Sequence, residues 1–169
     1  LVMTSAAHLA RLLELDPITE RHFRGIYARL DVIVSPILDL NEKNILVYLV
    51  DKHFIALIVH PQQSYFIDPL GAPPPAQLRP TIDRWAQPCV RVPDRRVQSD
   101  RSHSCAIYIY YYCQLLCRRS SRRPNDAAQH QLPFGNDLRQ NEILLQQWYD
   151  GRRQQRQPTA AARHRRSSS

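Results

Sequence analysis

The spacing of hydrophobic and polar positions changes several times along this chain of 169 residues, and each change marks an element. In AAHLARLLEL, Leu9, Leu12, Leu13 and Leu15 recur at helical spacing behind Thr4 or Ser5, either of which supplies a cap oxygen. Asp16-Pro17 breaks this helix and starts a second short one through Phe23, which Gly25 closes. NILVYLVD and HFIALIVH are short runs rich in Val, Ile and Leu. They read as adjacent, mostly buried strands joined tightly at Asp51-Lys52. SYFIDPLG reads as a third strand, stopped by the prolines that follow Asp68. AQLRPTIDRWA reads as a helix kinked or started late by Pro80, and CVRV as a short edge strand.

The next stretch, VQSDRSHSCAIYIYYYCQLLC, is polar up to Ser104 and apolar from Cys105 onward. The apolar part reads as a buried helix from about Cys105 to Arg118, although its Tyr and Ile content suits a strand equally. A basic, polar loop follows. NDLRQNEILLQQWYD is then an amphipathic helix capped by Asn136, with Leu138, Ile143, Leu144, Leu145 and Trp148 available for packing. The order predicts an α+β domain over residues 1–150: a small, mostly antiparallel sheet and a central buried helix, flanked by further helices. Residues 151–169, rich in Arg, Gln, Ala and Ser, are expected to form a disordered tail.

Charge sharpens this division. The net charge is +8, of which 151–169 carries +6 through six arginines and no acid. Arginine outnumbers lysine 21 to 2, and its planar fork binds two phosphate oxygens at once. A solvated tail and a tether for nucleic acid or another polyanion are both compatible with that composition. Arg118, Arg119, Arg122 and Arg123, with Arg152 and Arg153, are the candidate nucleic-acid contacts. No apolar run approaches the roughly 20 residues that span a bilayer, so no membrane association is expected. The segment LVMTSAAHLARLLELD, interrupted by His8, Arg11 and Glu14, does not read as a secretory signal. The four cysteines form no CxxC pair; Cys113 and Cys117 read as buried thiols on one helix, and no metal site is expected. An intracellular, reducing setting follows.

Cys105 lies on the seam between polar and apolar sequence, where a thiol at the first turn of a helix feels the positive end of the helix. A nucleophilic thiol also needs a base, a group that orients the base, and an oxyanion donor. His53 starts a strand and Asp68 ends the next one, 15 residues later, a separation that fits two strands and a turn. Gln98, seven residues before Cys105, supplies a side-chain amide that can join the Cys105 backbone N–H in an oxyanion hole. Each residue alone has a plain structural reading, as a sheet-edge histidine, a turn carboxylate or a core thiol. His60, at the opposite strand end, and His103, two residues from the thiol, compete as bases. The ordered set carries more weight than any member.

That order, His-aromatic, Asp-Pro-x-Gly, then Gln-(x)6-Cys, resembles the adenovirus-type cysteine proteases, a branch of the larger group that includes the SUMO-specific proteases. The matching segments are His53-Phe54-Ile55-Ala56-Leu57, Phe66-Ile67-Asp68-Pro69-Leu70-Gly71 and Gln98 to Cys105. FRGIYARLD and LRQNEILLQQW also resemble stretches of adenain-like proteins, so the similarity covers roughly residues 5–150. Two positions depart from the family: Ala106 stands where members carry glycine, and Phe54 where they carry tryptophan. The resemblance implies an adenain-like fold and a cysteine endopeptidase of viral or virus-derived origin, cleaving capsid or core precursors. His53, Asp68 and Cys105 would be catalytic, with Gln98 at the oxyanion. It further implies a monomer acting in the host nucleus or virion. No cofactor is required for the chemistry, and non-specific DNA and a basic peptide are the implied activators. A deubiquitinase- or deSUMOylase-like isopeptidase, and an impaired fold that binds DNA or capsid, are the alternatives.

Overall fold

The computed structural model describes residues 5–99, 103–118 and 131–156. Ser5 caps the first helix, α1 (Ala6–Leu15), by accepting a hydrogen bond from the His8 N–H. Leu9, Leu12 and Leu13 form its buried stripe. The helix ends at Asp16, whose carboxylate turns the chain by accepting from the Ile18 N–H at 2.8 Å. The expected second helix is absent. Residues 17–22 are turns, and Gly25 lies inside a strand, β1 (Phe23–Tyr27), where its φ of +127° accompanies a break in register between Phe23 and Ile26. Glycine adopts that conformation without steric penalty, so the residue marks a bulge rather than a helix end.

β2 (Asn44–Val50), β3 (His53–Val59), β4 (Ser64–Ile67) and β5 (Cys89–Val92) complete a sheet ordered β1-β2-β3-β4-β5. The pairs β2–β3 and β3–β4 are antiparallel, whereas β1–β2 and β4–β5 are parallel. The sheet is therefore mixed, not mostly antiparallel. Both outer strands are joined to their sheet neighbours by long connections, residues 28–43 between β1 and β2 and 68–88 between β4 and β5, and connections of that length permit parallel pairing. The second holds a 3-10 turn (Ala76–Leu78) and α2 (Arg79–Trp85), with Pro80 in the first turn, where its missing N–H leaves no bond unmade.

The sheet is covered on both faces. On one side, alternate residues such as Leu46, Tyr48, Leu57 and Phe66 pack under Val34, Ile82 of α2 and Ala86 at its C-terminal cap. On the other, Ile45, Val47, Ala56, Ile58 and Ile67 meet α1 and a third helix, α3 (Cys105–Cys117). Burial on both faces is why β2 and β3 read as unbroken apolar runs. α3 is buried on nearly every side, and two of its tyrosine hydroxyls are held there: Tyr110 donates to Asp16 Oδ2, and Tyr111 accepts from the Leu132 N–H at 2.6 Å. A helix enclosed in this way carries no amphipathic period.

The last helix, α4 (Leu138–Arg156), runs across α3 and buries Asn141, Leu145 and Tyr149. Its cap is Asp137, which accepts from the Gln140 N–H at 3.1 Å; the expected cap, Asn136, instead accepts from Arg95. Ile143 remains exposed. The helix passes through Gly151, so helical structure extends six residues beyond the expected boundary at 150, and 157–169 lie outside the described residues. Among the described residues there are four α-helices beside the five-stranded sheet, and no helix is long and apolar enough to cross a membrane.

Candidate active site

The β2–β3 connection is two residues long, and both Asp51 (φ 48°) and Lys52 (φ 65°) adopt left-handed backbone conformations. This tight hairpin pairs Val50 with His53 and places the histidine at the first position of β3, with the buried Phe54 behind it. Asp68 is the first residue past β4, the strand beside β3. The two side chains meet there: His53 Nε2 lies 2.8 Å from Asp68 Oδ1. The same carboxylate oxygen accepts from the Leu70 N–H at 2.9 Å, and the Asp68 carbonyl accepts from the Gly71 N–H at 2.9 Å. The Asp-Pro-Leu-Gly turn thus holds its own acid in place.

The Cys105 thiol also acts on the His53 ring, favouring its charged form. Cys105 is the first residue of α3 and is 8% exposed. Its neighbour Ser104 occupies the cap position but donates its hydroxyl to Glu142 of α4, not to the helix. Burial opposes charge on the His53 ring, but the hydrogen bonds and Coulombic attraction of Asp68 and Cys105 outweigh it and push its pKa up to about 9. His53 is therefore held in the charged form at neutral pH, between an acid and a sulfur. The other two thiols of α3 lie in a different environment: burial raises Cys113 well above the usual range and pushes Cys117 up to about 12. No group of three or more potential ligands that could hold a metal ion occurs among the described residues.

Gln98 is buried, and its segment is suspended between the two halves of this site. The N–H groups of Val97 and Gln98 both donate to the Pro69 carbonyl, at 3.0 and 3.1 Å, directly beside Asp68. The Val97 carbonyl accepts from Tyr108 Oη (3.2 Å), three residues into α3 from the thiol, and from Asn141 Nδ2 (3.1 Å) on α4. Gly71 makes the approach of this segment possible. Its φ is +72°, and a Cβ there would lie 2.6 Å from the Arg96 backbone nitrogen. His53 and Asp68 are joined by a hydrogen bond, Cys105 acts on the His53 ring, and Gln98 is tied to Asp68 and α3 through the backbone of its segment.

Three of the six basic candidates lie among the described residues. Arg118 follows the far end of α3, roughly 20 Å from Cys105 at helical rise, and bonds Gln114. Arg152 and Arg153 stack over Trp148 and Tyr149 of their own helix, at 4.7 and 5.9 Å. Arg119, Arg122 and Arg123 lie outside the described residues. His60 follows β3, at the end opposite His53, and accepts from the Gln62 N–H. A cavity of about 470 Å³ lined by Glu14, Glu20, Arg21, Phe23, Arg24 and Gly25 includes none of the site residues. The supporting side chains Tyr108 and Asn141 escape a reading of the sequence; the one trace is that Asn141 stands on the same helical stripe as Leu138 and Leu145, where an apolar residue would be usual. No protein-family model matches this sequence, and comparison with curated proteins returns no match.

Proposed function

We propose that the chain is a cysteine endopeptidase of the adenovirus type. The observation that carries the reading is the 2.8 Å contact of Asp68 with His53, on whose ring the Cys105 thiol also acts from the first turn of a buried helix. The pair acts as thiolate and imidazolium: with the proton already on His53, the Cys105 thiolate attacks the carbonyl carbon of a peptide bond. The carbonyl oxygen becomes an oxyanion, bound by the Cys105 N–H and the Gln98 amide. His53 then protonates the departing amine as the C–N bond breaks, leaving an acyl group on sulfur. Water, deprotonated by His53, hydrolyses the thioester, and the sulfur leaves as thiolate beside the re-formed imidazolium. Asp68 fixes the ring through Nε2 and stabilises its charged form.

Ala106 bears on this reading. The residue is fully buried, so its methyl group packs in the core and not on the surface where a substrate would lie. The His-aromatic, Asp-Pro-x-Gly and Gln-(x)6-Cys motifs support a viral or virus-derived origin and protein precursors as substrates. The test is chemical. A peptide aldehyde or vinyl sulfone should label Cys105 at least tenfold faster than Cys89, Cys113 or Cys117, and Cys105→Ala should abolish both labelling and cleavage. Residual cleavage by the purified Cys105→Ala protein refutes the mechanism.

A further inference from the structure

We infer that Asn141 is a positioning residue for this reaction: by holding the Val97 carbonyl it sets where Gln98 is presented. The inference rests on the peptidase reading for its catalytic half and on geometry alone for its structural half. Asn141 is 1% exposed, and its side chain is fully committed to backbone. Oδ1 accepts from the Gly135 N–H (2.8 Å), and Nδ2 donates to the Gly135 carbonyl (2.9 Å) and to the Val97 carbonyl (3.1 Å). The paired bonds to Gly135 fix the amide's orientation, so the remaining N–H has one direction, toward Val97. Val97 immediately precedes Gln98, and its own N–H is bound to Pro69. One peptide unit is therefore gripped by the acid turn, the nucleophile's helix through Tyr108, and α4 through Asn141. Three elements far apart in sequence converge on the segment that carries the oxyanion amide. A displacement near 1 Å at such a donor reduces rate by roughly 100-fold.

The experiment uses the full chain with four changes: Asn141→Asp, Asn141→Ala, Gln98→Ala and the helix control Leu145→Ala. Asn141→Asp keeps the shape but turns an acceptor oxygen toward the Val97 and Gly135 carbonyls. Leu145 is equally buried on α4 and makes no bond to the segment. Hydrogen exchange reads the first half. Amides of Val97 and Gln98 should exchange about tenfold faster or more in both Asn141 variants, relative to β2 and β3 amides, and not in Leu145→Ala. Two thiol reagents read the second. A peptide aldehyde forms a sulfur–carbon bond as its C=O π bond opens, the oxygen taking a proton by way of His53, so its affinity depends on the oxyanion site. Iodoacetamide alkylates sulfur by displacing iodide and creates no oxyanion. Aldehyde affinity should fall about tenfold or more in the Asn141 variants while alkylation stays within about twofold. In a Gln98→Ala background the Asn141 change should add less than about twofold. Unchanged exchange at Val97 and Gln98 overturns the inference. So does a parallel loss of aldehyde binding and alkylation, or full additivity with Gln98→Ala. A native protein that reacts with no aldehyde at Cys105 refutes the peptidase reading and the catalytic half with it, while exchange still decides whether Asn141 holds the segment.

Discussion

Replacing Asp68 by Asn removes a charge from beside His53 while keeping an oxygen able to accept its N–H. In the native chain the His53 pKa stands at about 9, against an ordinary value of 6.5. At ~1.4 kcal/mol for each pH unit, that displacement corresponds to about 3 kcal/mol of folding stability. His53 is 22% exposed at its side chain, so solvent screens the interaction only in part. The sign follows from linkage. A folded-state pKa above the unfolded value stabilises fully below pH 6.5, and the contribution is lost as pH rises through 9. In Asp68→Asn, burial is left opposing the charged ring with only Cys105 to favour it, and most of the contribution disappears. Urea unfolding of both proteins at pH 6, 7, 8, 9 and 10 measures this. Taking the difference between them cancels groups common to both. The variant should be less stable by about 2–3 kcal/mol at pH 6, with the gap closing to under about 1 kcal/mol by pH 10. A gap that stays constant with pH, or widens as pH rises, refutes the argument.

Gly71→Ala should lower stability by about 1–3 kcal/mol, because the residue holds a left-handed φ and its new methyl group would meet the Arg96 nitrogen; thermal unfolding reads the loss, and an unchanged Tm would contradict the close approach. Lys52→Gly should raise stability by about 0.5–1 kcal/mol, since a two-residue turn with both φ values positive favours glycine at its second position; a lower midpoint in urea would show that Lys52 contributes more than its backbone strain takes away.

The elements most legible in the sequence are those whose periodicity is not shared with another structure. The Leu9, Leu12, Leu13 stripe and its Ser5 cap specify α1, and the paired apolar runs specify the β2–β3 hairpin around Asp51-Lys52. The three ionisable site residues are visible because each stands at a boundary: His53 begins a strand, Asp68 follows one, and Cys105 begins a helix. What was not legible depends on long-range geometry. Gly25 signals a helix stop by composition, yet its φ serves a bulge created by parallel pairing with β2, which no local pattern encodes. The parallel pairing of β4 with β5 depends on how residues 68–88 cross the sheet. The choice of Asp137 over Asn136 as cap depends on Arg95, a residue more than 40 positions away, occupying the Asn136 oxygen. Tyr108 and Asn141 escape notice for the same reason: a buried polar side chain is read by its partners, and theirs are backbone atoms brought near only by folding.

The placement of Cys105 at the start of α3, with its two ionisable partners at the ends of neighbouring strands, has a kinetic consequence. His53 begins β3 and Asp68, 15 positions on, follows the strand paired with it, whereas Cys105 stands 37 positions beyond Asp68. Closing the longer loop requires the helix to dock against the sheet, a non-local event that comes late when folding follows loop length. The thiol therefore changes surroundings at the moment of docking, from an exposed cysteine to a buried one that interacts with a charged imidazole. Pulsed alkylation during refolding would register that moment at a single atom, making the sulfur a clock for the assembly of the domain.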